Sequence, residues 1–141
     1  MNHKVNKLIP IAIQAIKDSQ MAQNGVVDKE FKGYISSMGA SIMQTGLLAT
    51  LAFYANDEGK KANSSDLLKA IYQVITGNRT DQKNDLIRWV IRSSLKDTVD
   101  PGKEEIEIDD LDMDKMYIKE QEISDALVAL KLALRTYKIK E

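Results

Sequence analysis

Apolar positions along the chain recur at three- and four-residue spacing, which predicts amphipathic helices. Val5, Leu8, Ile9, Ala12 and Ile16 form the first such stripe. Pro10 interrupts it, so the helix either begins near Ile9 or bends there. Gln23-Asn24-Gly25 is read as its end, with Gly25 as a left-handed cap. Asp28 then offers a carboxylate to the first free amides of a second helix. That helix carries Phe31, Ile35, Met38, Ile42, Leu47, Leu51 and Tyr54, and Gly46 either lies within it or breaks it in two. Gly39 and Gly46 are seven apart, on a face where a neighbouring helix could approach closely.

Further along, Asn63 and Asp66 resemble a capping box ahead of a third helix with Leu67, Leu68, Ile71, Val74 and Ile75. Gly77-Asn78 closes it. A fourth helix is predicted from Thr80 or Asp81, carrying Leu86, Ile87, Val90, Ile91 and Leu95, and Asp100-Pro101-Gly102 specifies a turn after it. Residues 103–114 lack a long amphipathic pattern; Glu105-Ile106-Glu107-Ile108-Asp109 alternates, as a short extended piece or a mobile loop would. From Met116 through Ile123, Leu127, Leu130 and Leu134 to Tyr137, one stripe predicts a last long helix. The pattern contains no strand set of any size. An all-α fold follows: a single compact bundle of five to six helices over residues 1–141, with an acidic loop at about 97–114 before the C-terminal helix.

Charge changes this picture in one respect. The formal net charge is −1, but residues 97–114 hold nine acids and one base, leaving 19 bases against 12 acids elsewhere. A cationic surface is therefore compatible with near-neutrality overall. On the fourth helix, at 100° per residue, Arg88, Arg92 and Lys96 form a stripe of about 80° outside the apolar half, with Trp89 beside it. Asp85 falls in the same stripe, where it can pair with Arg88. Lys131, Arg135 and Lys138 repeat the theme at spacings of four and three. Two such stripes suit a phosphate backbone, the indole adding a stacking surface for a base; the competing reading of each is a solvated helix face. The candidate RNA-binding residues are thus Arg88, Trp89, Arg92, Lys96, Lys131, Arg135 and Lys138.

The chemistry inventory narrows the function classes. There is no cysteine and one histidine, His3. Nucleophilic Ser-His or Cys-His arrangements and thiolate or multi-histidine zinc sites need more than this. Asp110, Asp112 and Asp114 match the opening of a calcium loop, but Lys115 stands where that loop needs glycine and Gln121 where it needs glutamate. No metal, cofactor or catalytic residue is expected, and an enzyme would have to work with carboxylates. Apolar runs fall short of the roughly 20 residues of a membrane span, and Leu8–Ile13 is too short for a signal peptide. A cytoplasmic protein without a membrane partner is the expectation.

The stretch Phe31-Lys32-Gly33-Tyr34-Ile35-Ser36-Ser37, followed by Ile42-Met43-Gln44-Thr45-Gly46-Leu47-Leu48-Ala49-Thr50-Leu51-Ala52-Phe53-Tyr54, resembles the small helical subunit of the type III-B CRISPR-associated Cmr complex. That family shows an aromatic residue, a short amphipathic stretch, a glycine-leucine pair and a "Leu-Ala-Phe" ending. Thr45 stands where the family often carries asparagine. The resemblance implies a non-catalytic subunit of an RNA-guided effector. Its implied partners are the other Cmr subunits, the guide RNA and target RNA, and copies of itself in a filament along the target strand. The family lends no signature binding residues to numbered positions, so the candidates remain the seven above. A helical protein-interaction module, docking through the Gly39/Gly46 face or the acidic loop, is the competing function.

Overall fold

The computed structural model describes residues 3–141. Its first helix, α1 (His3–Asp18), runs on both sides of Pro10. It therefore does not begin at Ile9. Proline has no N–H to give Asn6, and both residues are exposed, so water can serve that carbonyl. Val5, Ala12, Ala15 and Ile16 are buried on the opposite side. These four alanine or β-branched side chains let α1 lie close to two partners, α4 (Ser64–Thr76) and α6 (Met113–Ala133), which together form the centre of the bundle. Ile123, Ala126, Ala129 and Leu130 of α6 and Leu67, Ala70 and Ile71 of α4 are sealed from solvent there.

Gly25 is not the cap of α1, as the sequence suggested. The helix stops at Asp18, with the Gln20 amide donating to Lys17 O at 3.3 Å. Asn24 (φ 56°) and Gly25 (φ 78°) instead form the two-residue turn of a hairpin between β1 (Ala22–Gln23) and β2 (Val26–Asp28). Positive φ at both turn positions matches the twist of the flanking strands. A third strand, β3 (Lys138–Lys140), pairs parallel to β2, Val27 opposite Ile139. The expected C-terminal helix thus ends earlier: α6 closes at Ala133, a 3₁₀ turn spans Leu134–Thr136, and the chain straightens. Tyr137 is held by its hydroxyl, which donates to Ile13 O at 2.7 Å.

The central apolar run is two helices, α2 (Glu30–Thr45) and α3 (Leu47–Ala55). Gly46 separates them at φ 96°, ψ 162°, a conformation essentially restricted to glycine. Asp28 accepts the Glu30 amide at 2.9 Å, as its position predicted. No element packs closely on Gly39 or Gly46: a Cβ at either would meet nothing within 4 Å. Gly39 instead lies in an open groove of about 530 Å³ between α2 and α6.

At the start of α4 the Asn63 side chain makes no capping bond. Asp57, from the preceding loop, takes that part through Ser65, whose amide and hydroxyl donate to its carboxylate at 2.9 and 2.6 Å. Gly77, left-handed at φ 77°, ends the helix as expected. Helix α5 (Asp85–Ser93) starts later than Thr80, whose hydroxyl donates to Asp85 across the lead-in turn at 2.6 Å.

Candidate nucleic-acid interface

The α5 ridge projects Arg88, Arg92 and, just past its end, Lys96 into solvent, because Leu86 and Val90 turn the other face to the core. Arg88, Trp89 and Arg92 each have a local partner, whereas Lys96 is tied down only through its backbone. Arg88 lies 3.8 Å from Asp85, one turn earlier. The Arg92 guanidinium donates to Lys103 O at 2.8 Å and Pro101 O at 3.3 Å. The Trp89 indole is half-buried, with the Lys119 ammonium of α6 4.6 Å from a ring centroid. The Lys96 amide donates to Asp110 O at 2.8 Å.

The Arg92 and Lys96 contacts exist because the acidic segment folds back onto α5. A 3₁₀ turn at Ile108–Asp110 and a bridge between Leu95 and Leu111 return the chain to the helix end. Asp112 then starts α6, its carboxylate accepting the amides of Asp114 (2.9 Å) and Lys115 (3.3 Å). Two lysines fasten the fold-back: Lys103 to Asp110 at 2.8 Å and Lys115 to Asp97 at 2.6 Å. The bond from Lys103, then the Glu107 amide, holds the Asp110 carboxyl below its ordinary range, and that partner raises Lys103. Asp97 is lowered chiefly by its bond from Lys115. The segment is therefore an ordered strap rather than a free loop. Glu104, Glu105 and Asp109 remain outside these pairs, and Ile108 in the same segment is 68% exposed. Among the described residues no group of three or more His, Cys, Asp or Glu gathers as a metal site.

The second set is arranged differently. Lys131, Arg135 and Lys138 are exposed, and among the described residues no carboxylate lies within ion-pair distance of them. They do not share one helix: Lys131 is in the last turn of α6, Arg135 in the 3₁₀ turn, and Lys138 in β3. The strand adds two lysines the sequence reading missed. Lys140 lies two residues on, on the same side of the strand as Lys138. Lys29 gives its amide to Lys140 O at 3.2 Å and so joins the same end. The alternation Lys138-Ile139-Lys140, with Ile139 turned toward Val27, is the signal that would have found it. The two clusters lie toward opposite ends of α6, whose 21 residues span roughly 30 Å.

The chain matches the family model described as CRISPR-associated protein (Cas_Cmr5) over residues 6–108. It belongs to the Cmr5 family. No curated protein and no solved structure matches. The Cmr5 match takes in α1 to α5, including the α2–α3 pair that carries the resemblance, and stops within the acidic segment. As a Cmr5-type subunit of a type III-B complex, the protein has other Cmr subunits as its partners. Arg88, Trp89, Arg92 and Lys96 lie inside the matched region; Lys131, Arg135 and Lys138 lie beyond it. No described helix is long and apolar enough to cross a membrane.

Proposed function

We propose that this Cmr5-family protein is the non-catalytic small subunit of a type III-B RNA-guided effector, where copies stack along the guide and target RNA and contact the target-strand backbone through basic surfaces. The observation that carries the reading is the set of uncommitted cations at the C-terminal end of α6, Lys131, Arg135 and Lys138, extended by Lys140 and Lys29. Arg88, Trp89, Arg92 and Lys96 form a secondary surface, available to RNA to the extent that the acidic strap yields. Guide pairing would select sequence, so backbone charge suffices for the subunit. Weak contacts by single copies would add up along a strand.

The test is binding of the full chain to single-stranded RNA across a salt series. Each phosphate contact contributes about 0.7 to the slope of log affinity against log salt. A measurable slope that falls when Lys131, Arg135 and Lys138 are reversed to glutamate supports the reading. Salt-independent binding would defeat it.

A second reading, a protein-interaction module without RNA contact, is favoured by the apolar groove between α2 and α6. Met43 (86% exposed), Tyr117 (61%) and Val128 (46%) surround it. Co-purification with other Cmr subunits, lost on Met43→Asp while salt-dependent RNA binding is absent altogether, distinguishes it.

A further inference from the structure

A cavity of about 530 Å³ opens at the sheet end, between the turn after α1, the β1–β2 hairpin, the loop before α4 and β3. Four carboxamides surround it: Gln20, Gln23, Asn24 and Asn63. None of their side chains bonds to a described protein group, whereas the buried Gln73 of α4 is committed to Asp18 at 2.8 Å. Lys61 and Lys140 stand at the same opening together with Asp28 and Asp66, whose carboxylates accept from the Glu30 amide at 2.9 Å and the Lys69 ammonium at 3.4 Å, and the buried Phe31 and Met21 reach its floor. A carboxamide presents a donor and an acceptor side by side, the pattern that matches the edge of a nucleobase.

Gln20 adds an independent observation. It occupies the left-handed region at φ 74° directly after α1, where glycine or asparagine is ordinary and a longer side chain is strained. The Gln20 amide bond to Lys17 O would form equally with glycine. What glutamine supplies, and glycine would not, is the carboxamide at the cavity.

We infer that this cavity binds a single unstacked nucleotide, its base edge on the carboxamides of Gln20, Gln23 and Asn63 and its phosphate on Lys61 and Lys140. The inference deepens the RNA-binding reading and rests on it for the source of the nucleotide: β3 leads from the cavity directly to Lys138, so a strand on the cationic end passes the opening. Single-stranded RNA is commonly read through such splayed-out bases.

The experiment uses the full chain with adenosine and uridine monophosphates, and ribose 5-phosphate as the base-free control. Side-chain amide resonances of Gln20, Gln23 and Asn63 should shift saturably with a nucleotide, and ribose 5-phosphate should bind at least tenfold more weakly. Asn63→Leu should weaken nucleotide binding at least tenfold. Gln20→Gly should do two things together: raise the melting temperature and weaken the nucleotide, a combination that a purely structural role does not give. Equal binding of ribose 5-phosphate, unmoved amide resonances or an unchanged affinity for Asn63→Leu would each overturn the proposal. Salt-dependent RNA binding that persists in Asn63→Leu, with no mononucleotide bound by the parent chain, removes the cavity and leaves the RNA reading standing. Mononucleotide binding without any oligonucleotide binding does the reverse.

Discussion

The ridge on α5 and the end of α6 carry similar cations at similar spacing, but in the folded chain the arginines of one are engaged and the cations of the other are free. Arg92 spends its donors on the carbonyls of Pro101 and Lys103, Arg88 has Asp85, and Lys119 covers Trp89. Lys131, Arg135 and Lys138 have no such neighbours among the described residues. What decides between them is the chain that follows each. After α5 comes a segment rich in carboxylates that turns back; after α6 comes a short strand that adds Lys140. A helical-wheel stripe thus measures potential charge, and the neighbouring loops determine how much of it meets solvent.

The largest expected effect lies at the free end. Reversing Lys131, Arg135 and Lys138 to glutamate should cut single-stranded RNA affinity by at least about tenfold and flatten the salt slope by about 2 units. Reversing Arg88 and Arg92 should cost no more than about threefold in the same titration. If the α5 pair costs as much as the α6 end, the contrast is wrong and the strap is displaced on binding. Asp112→Ala removes the carboxylate that starts α6 and should lower stability by about 1 kcal/mol in a thermal or urea melt, loosening the strap's far end.

The smallest effect is in acid titration. Asp97 and Asp110 should titrate below the ordinary 3.8, so what they contribute to folding is full above about pH 4 and is lost as the pH falls through their lowered values. Asp66, raised chiefly by burial, should titrate above 3.8 and behaves oppositely, its protonation on acidification favouring the folded chain. Carboxyl resonances followed by NMR give all three. Strap carboxylates titrating at or above 3.8 would show that the ion pairs do not hold it.

Helices with strong periodicity were readable from sequence because burial on one face dictates 3.6-residue repetition, and the positions of α2, α3 and α4 follow it closely. The end at Gly77 was readable for a local reason, since it needs a backbone conformation that glycine supplies, while at Gly46 the sequence left a break and a continuous helix both open and the structure takes the break. The sheet was not. Its strands are two and three residues long, too short to display alternation, and β3 finds its partner far along the chain. Leu134 and Tyr137 misled because they stay in helical register while packing for other reasons, Leu134 buried in the 3₁₀ turn and Tyr137 half-buried and held by its bond to Ile13. Asn63 does stand at the N-cap of α4, but its side chain makes no bond there because Asp57 reaches Ser65 across a loop whose path no local pattern encodes. For the site, residue types were legible and availability was not: the fate of Arg92 depends on carbonyls at 101 and 103, and nothing in its own helix announces them.

The parallel pairing of β3 with β2 has a temporal consequence. Val26 waits for Lys138, more than a hundred positions later, before its ladder can form. Closing so long a loop is entropically costly and slow relative to helix formation. During synthesis the helical pairs can therefore assemble while the hairpin at Asn24-Gly25 still has an open edge, and a segment made more than a hundred residues later is the one that shuts it.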